Sequence, residues 1–231
     1  MKTIGLIGGM SWESSLEYYR LINELVKNRL GGYHSAKIIM ASLDFDEVEK
    51  MQLGNQWALA GELLANTASR LESAGADMIL LCTNTMHKCA DSITKRIKIP
   101  FIHIASAAGQ AVREKGLTQV GLLGTRFTME EDFYSRKLKE HFSIKTLIPP
   151  APARERIHRI IFDELCLGII SDTSRLEFLK IIQDLQSQGA QGIILGCTEI
   201  GLLVHQENAT IPLFDTTVIH AEAAVDMALG K

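Results

Sequence analysis

Two apolar runs end in clusters of small polar side chains. Leu80-Leu81-Cys82-Thr83-Asn84-Thr85-Met86-His87 gathers a thiol, two hydroxyls, an amide and an imidazole, and Gly196-Cys197-Thr198-Glu199 gathers a thiol, a hydroxyl and a carboxylate. Cys197 stands at a strand end just before a helical segment. The positive end of that helix and the local amides are expected to pull the thiol toward thiolate, the form that acts as base or nucleophile. Cys82, His87 and Cys89 lack the spacing of a zinc motif and have no second ligand pair, so no metal is expected. Cys89 and Cys166 read as core, and His87 as a polar cap or support.

A third candidate is the turn after the first apolar run, Gly5-Leu6-Ile7-Gly8-Gly9-Met10-Ser11. Its glycines do not fit G-x-G-x-x-G, and no convincing acidic ribose ligand stands at the end of the second strand, so a nicotinamide site is not expected. A tight turn whose amides and Ser11 hold a carboxylate at a helix N-terminus fits better. Ser11 also suits a helix cap, with Glu13 favourable in the first turn.

These clusters must be positioned by 231 residues, enough for one large α/β domain or two lobes. Apolar residues make up 46% and charged residues 22%, which excludes a disordered chain. The formal net charge is −3 with the signs well mixed, so nucleic acid is not an expected partner; Lys139, Lys145 and 154–159 read as solvated surface. The start, MKTIGLIGGM, breaks into glycines where a signal peptide would continue its apolar helix. No run reaches the ~18 apolar residues that span a bilayer. The reading is therefore a cytoplasmic protein without membrane association, its four cysteines reduced.

Strand-like runs at 3–7, 37–43, 78–83, 101–104, 119–123, 145–148, 192–197 and 212–215 alternate with segments of helical period. Trp57, Ala60, Leu64, Ala68 and Leu71 form one helical stripe; Leu176, Leu179, Ile182 and Leu185 form another. Alternation with short connections predicts parallel sheets covered by helices. The segment Ile148-Pro149-Pro150-Ala151-Pro152 is expected to be a stiff loop.

The chain also repeats itself. Gly75-Ala76-Asp77-Met78-Ile79-Leu80-Leu81-Cys82-Thr83 lies without a gap over Gly189-Ala190-Gln191-Gly192-Ile193-Ile194-Leu195-Gly196-Cys197. Ile4-Gly5-Leu6-Ile7-Gly8-Gly9 matches Val120-Gly121-Leu122-Leu123-Gly124-Thr125, and Ile99-Pro100-Phe101 matches Ile211-Pro212-Leu213. Three anchors in one order indicate two copies of one α/β unit. The predicted fold is two similar lobes, each a mostly parallel four-stranded sheet flanked by helices, related by a pseudo-two-fold axis. In such sheets ligands sit beyond the carboxyl ends of strands, so Thr83 and Cys197, equivalent under the repeat, are expected to flank one ligand across a cleft. Cys82 aligns with Gly196 and points to the opposite face of its strand.

Taken together, Gly8-Gly9-Met10-Ser11-Trp12, Asn84-Thr85-Met86-His87, Leu123-Gly124-Thr125, Ile161-Phe162-Asp163-Glu164-Leu165, Gly196-Cys197-Thr198-Glu199 and Phe214-Asp215-Thr216 resemble the cofactor-independent aspartate/glutamate racemase superfamily, particularly its bacterial aspartate racemase-like branch. The resemblance implies no pyridoxal phosphate or other cofactor, and a homodimer. It also implies a last helix that returns to the first lobe, giving 1–103 plus 216–231 and 104–215. It departs at one point: the family's first thiol directly precedes Asn-Thr, and here that position is Thr83.

An alcohol is about as weak an acid as water, roughly seven powers of ten weaker than a thiol, or on the order of 10 kcal/mol. Thr83 is therefore expected to return a proton rather than remove one, directly or through water. The expected reaction is racemisation of aspartate or glutamate. The resemblance implies that Cys197 takes the α-proton of the L-enantiomer, so L→D is expected to be the faster direction, with Thr83 serving the other face. Met10, Ser11, Asn84, Thr85, Thr125 and Thr198 are expected to hold the carboxylates. Gln52, in a segment matching the family's Asp-Phe-x-Glu-x-Glu-x-x-Gln, reaches the distal group, and Glu199 orients Cys197 or the ammonium. The competing readings are a single-thiol relative that decarboxylates or isomerises a small dicarboxylate, and a non-catalytic binder of small carboxylates.

Overall fold

The computed structural model describes residues 1–230. Its strands build two four-stranded, all-parallel sheets. In the first, β1 (Ile4–Gly8), β2 (Ile38–Ser42), β3 (Met78–Leu81) and β4 (Phe101–Ile102) lie in the order β2-β1-β3-β4. In the second, β5 (Gln119–Gly124), β6 (Lys145–Leu147), β7 (Ile193–Gly196) and β8 (Leu213–Asp215) lie in the order β6-β5-β7-β8. All eight strands fall where the sequence pattern places them, and five end one or two residues earlier. At β3 the cause is local: the Thr83 amide turns back onto the Leu81 carbonyl at 2.9 Å.

The duplication extends to the register. Ile7 pairs with Leu81 in the first sheet as Leu123 pairs with Leu195 in the second, and Ile79 pairs with Phe101 as Ile193 pairs with Leu213. It extends to the packing as well. A Cβ on Gly5 would stand 2.7 Å from Cδ1 of Ile79, and one on Gly121 would stand 2.5 Å from Cδ1 of the equivalent Ile193. Overpacking of this kind costs about 1–3 kcal/mol, so both copies need glycine for one reason.

The chain divides into two compact units. One holds Met1–His103 with the segment from His220; the other holds Ile104–Ile219. The first carries α1 (Trp12–Leu30), α2 (Phe45–Leu53), α3 (Trp57–Ser73) and α4 (Ala90–Arg96). The second carries α5 (Ile104–Glu114), α6 (Arg126–Glu130), α7 (Asp132–Phe142), α8 (Ala151–Asp163), α9 (Asp172–Ser187) and α10 (Ile200–Leu203). The last helix, α11 (Thr216–Leu229), begins in the second unit, where Thr216 Oγ1 donates to the Leu195 carbonyl at 2.7 Å. From His220 onward it belongs to the first.

Each parallel sheet is covered on both faces, as its unbroken apolar strands require. In the first unit, Tyr18, Ile22 and Val26 of α1 and Ala221, Ala224 and Val225 of α11 bury one face, against Ile4, Leu6 and Leu80. Ala60, Leu64, Ala68 and Leu71 of α3 bury the other, against Ile7, Ile79 and Leu81. In the second unit the α9 stripe is Phe178, Ile182 and Leu185; Leu176, expected to be buried, is 68% exposed. The helix turns Phe178 inward and leaves Leu176 on the outer side, a rotation that a leucine-rich segment leaves undetermined.

The proline segment also differs from expectation. Only its first part is loop, because α8 begins at Ala151 with Pro152 in its first turn. A proline there forfeits no helical hydrogen bond and is already set near the helical φ. Among the described residues no helix is long and apolar enough to cross a membrane.

Candidate functional site

Both candidate clusters lie at the carboxyl ends of the two central strands of their sheets. In the second unit β5 and β7 converge at Gly124 and Gly196, which are paired in register. A Cβ on Gly124 would stand 2.6 Å from the Gly196 oxygen. This side-chain-free approach brings Thr125 and Cys197, the next residue on each strand, to one sheet end. Thr125 caps α6, accepting from the Thr128 amide at 3.3 Å, and its Oγ1 lies 3.2 Å from Thr128 Oγ1.

Beyond β7 the chain turns through Cys197, Thr198 and Glu199 into α10. One carboxylate oxygen, Glu199 Oε2, accepts from the Cys197 thiol and from the Thr198 hydroxyl, each at 2.9 Å. The thiol is not disposed toward thiolate as its strand-end position predicts. Burial, foremost, and then the negative charge of Glu199 push Cys197 well above the ordinary thiol range. The helix that was to lower it, α10, has four residues, too few to develop a strong positive end. In this state Cys197 is a protonated donor to a carboxylate.

In the first unit the corresponding turn follows β3. The Cys82 amide donates to the Ile7 carbonyl at 2.9 Å, and the Ser14 hydroxyl donates to the Cys82 carbonyl at 3.3 Å. The Cys82 side chain has no exposed surface and packs with Leu6, Tyr18 and Leu80. Burial pushes its thiol up, and nothing here favours ionisation. Thr83 follows at the sheet end, then Asn84 and the 3-10 helix Thr85–Cys89, which runs directly into α4. Thr83 and Cys197 each keep 8% exposure, the largest value among the ten expected site residues.

The turn after β1 is built around Ser11 and Ser15. Ser11 caps α1, its Oγ accepting from the Ser14 amide at 3.5 Å. Ser15 Oγ accepts from the Gly9 amide at 2.8 Å and lies 3.0 Å from the Ser11 carbonyl, to which it donates. Gly9 adopts φ 91°, and a Cβ on it would lie 2.1 Å from the Leu43 carbonyl oxygen, so only glycine fits. Met10 is buried in the α3-side core. Gln52, near the end of α2, is buried, and its Nε2 donates to Met86 Sδ at 3.0 Å. It therefore abuts the Thr83–His87 segment, held by a weak acceptor.

His87, expected to be a polar cap or support, is one through its bond to Thr83. Its Nδ1 lies 2.7 Å from the Thr83 carbonyl, four residues back. A helical spacing of four from Thr83 was the available signal. Cys89 sits on the same short helix with its thiol 3.6 Å from the Trp57 carbonyl, and Cys166 lies half-buried at the margin of the α8–α9 core. Among the described residues no group of three His, Cys, Asp or Glu side chains is arranged to hold a metal ion.

The chain is similar in structure to a candidate Asp/Glu racemase from Yersinia pestis, with 53% identity, a TM-score of 0.92, and coverage of 99% of this chain and 100% of that one. An aspartate racemase homologue from Pyrococcus horikoshii OT3 is 33% identical, with a TM-score of 0.86 over 99% of this chain and all of the other. In sequence the chain is 23% identical over 195 residues to the broad specificity amino-acid racemase RacX of Bacillus subtilis (strain 168), covering 81% of this chain and 75% of RacX. The family model for Asp/Glu/Hydantoin racemase matches residues 7–224, and the chain belongs to that family.

Proposed function

We propose that this chain is a racemase that inverts the α-carbon of aspartate or glutamate without a bound cofactor, and that it works fastest from the L-enantiomer. The observation that carries the proposal is the pairing of Cys197 with Glu199 at a position equivalent to Thr83 in the other unit. One position offers a thiol with a proton acceptor in contact; the other offers an alcohol. Such a pair is unequal by construction.

In the proposed cycle the Cys197 proton passes along its hydrogen bond to Glu199 Oε2, leaving a thiolate. The ammonium of an entering amino acid offsets the charge that otherwise opposes this transfer. The thiolate removes the α-proton from one face, and the electron pair moves into the α-carboxylate as an enediolate. Thr83 delivers a proton to the opposite face, directly or through water, and recovers one from solvent. Cys197 keeps the proton it removed, and Glu199 releases to solvent the proton it received, which restores the starting state. Hydroxyls and amides of Ser11, Asn84, Thr85, Thr125 and Thr198 are proposed to hold the carboxylates and stabilise the developing charge. Gln52 serves the distal group: a substrate oxygen is a better acceptor than the Met86 thioether, so its amide can exchange partners.

A second reading of substrate range is favoured by that same amide. Among the described residues the buried polar side chains include no lysine or arginine, so distal recognition would rest on neutral donors, which also accept uncharged polar side chains. The test is chiral chromatography after incubating the purified chain separately with L-aspartate, L-glutamate, L-asparagine and L-glutamine, with no cofactor added. D-aspartate or D-glutamate supports the first reading, and D-enantiomers of the amides extend it to the second. Absence of any D-enantiomer counts against both.

A further inference from the structure

Thr83 is a β-branched residue whose side chain has little rotational freedom, so its backbone largely sets where the hydroxyl points. That backbone is pinned on both sides. The amide donates to the Leu81 carbonyl at 2.9 Å, and the carbonyl faces Nδ1 of His87 at 2.7 Å. A carbonyl only accepts, so His87 carries its proton on Nδ1.

The imidazole is itself packed from behind. Its ring centroid lies 4.6 Å from that of His103, 5.4 Å from Phe101 and 5.8 Å from His220. His220 is immobilised at both nitrogens: Nε2 faces the Ile102 carbonyl at 2.7 Å and Nδ1 faces the Tyr18 hydroxyl at 2.8 Å. The carbonyl fixes the proton on Nε2, so Nδ1 accepts from Tyr18. Two segments remote in sequence thus pack directly on His87, α11 through His220 and the β4 region through Phe101 and His103, while α1 holds His220 in place through Tyr18. Ordinary core packing would be met by an apolar side chain at residue 87. An imidazole donating to the Thr83 carbonyl does something more specific.

We infer that His87 is a positioning residue for the proton-donating Thr83, holding its peptide so that its hydroxyl addresses one face of the substrate α-carbon. The inference rests on the proton transfer proposed above. It makes His87 matter to one half of the reaction only. Removal and return of the α-proton on the Cys197 face do not need it; delivery on the Thr83 face does.

The test compares wild type with His87→Asn and His87→Leu on L-aspartate and L-glutamate in deuterium oxide. Asparagine Nδ2 stands at the same bond distance from Cβ as Nδ1 of histidine, so it keeps the donor while losing bulk. Leucine keeps bulk and loses the donor. Two quantities are read: deuterium gained at the α-carbon of recovered L-substrate, and D-enantiomer formed. Leucine is expected to lower D-enantiomer formation by roughly ten- to a hundredfold, the scale of a small misplacement of a reacting group, while deuterium gain in the L-enantiomer stays within about twofold. Asparagine is expected to restore most of the inversion, and thermal unfolding should show both variants folded. Equal losses of exchange and inversion in both variants, or a leucine variant more active than asparagine, would overturn the inference while the wild type still racemises. A wild type that neither exchanges nor inverts overturns the racemase reading, and this inference with it.

Discussion

Cys197 Sγ donates to Glu199 Oε2 across 2.9 Å, and the same oxygen accepts from Thr198. The carboxylate has two opposed effects. Its charge disfavours the thiolate, yet it is placed to receive the thiol proton. Glu199→Gln removes both effects at once, which makes the variant informative. The Cys197 thiol should ionise at lower pH, read as a downward shift in the pH midpoint of iodoacetamide alkylation. Racemisation should nevertheless fall by about 10²–10⁴-fold, the range of a lost acid–base partner. A variant that ionises more easily and racemises as fast as wild type would reduce Glu199 to an orienting group.

Cys82 is the conspicuous thiol of its segment, but its side chain lies in the apolar face shared by Leu6, Tyr18 and Leu80. Cys82→Ala should leave kcat and KM within about twofold. It should lower stability by roughly 1–2 kcal/mol, because a small buried group is removed. Denaturant unfolding and steady-state assays on the same preparation check both. A kcat loss with stability unchanged would return Cys82 to the chemistry.

Thr83→Cys replaces the weak acid of the pair with a group that can act on either face. Rates from the two enantiomers should converge, chiefly through a gain in the D→L direction. Progress curves started from pure L- and pure D-substrate measure the ratio directly. An unchanged ratio would mean that Thr83 does not set the direction.

His220 is fully buried, and burial lowers it to about 4 from an ordinary value of 6.5. Above 6.5 both folded and unfolded chains hold it neutral, and it adds no pH dependence. Between 6.5 and about 4 only the unfolded chain takes the proton, so stability falls as pH falls and levels off below about 4. The full loss is on the order of 3 kcal/mol. His220→Gln keeps a donor for the Ile102 carbonyl and cannot titrate, so its stability should decline less than wild type between pH 7 and pH 4.5. Urea midpoints at those two pH values make the comparison. Parallel declines would show that His220 does not carry this part of the acid response.

Much of the architecture was legible because its signals are local. Apolar runs between glycine and proline punctuation mark the strands, and the gapless match of 75–83 to 189–197 carries the register that pairs Ile7 with Leu81 and Leu123 with Leu195. Helix rotation was less legible. Leu176 and Phe178 are both apolar, and only the packed core decides that Phe178 is the buried one. The partner of Gln52 was hidden for another reason, since Met86 lies 34 residues away and a thioether announces no polar role. The contact of Tyr18 with His220 spans 202 residues, beyond any periodicity. The protonation of Cys197 is not legible from a strand-end position, which says nothing about helix length or burial. Here α10 is a single turn, and the neighbouring carboxylate acts against ionisation.

The most direct measurement of the central claim is α-proton exchange by NMR in deuterium oxide, on L-aspartate and L-glutamate, with wild type and Cys197→Ala and no cofactor present. Wild type should place deuterium on the α-carbon, with D-enantiomer appearing alongside, and Cys197→Ala should abolish both. Full exchange in the alanine variant would contradict the assignment of Cys197 as the base.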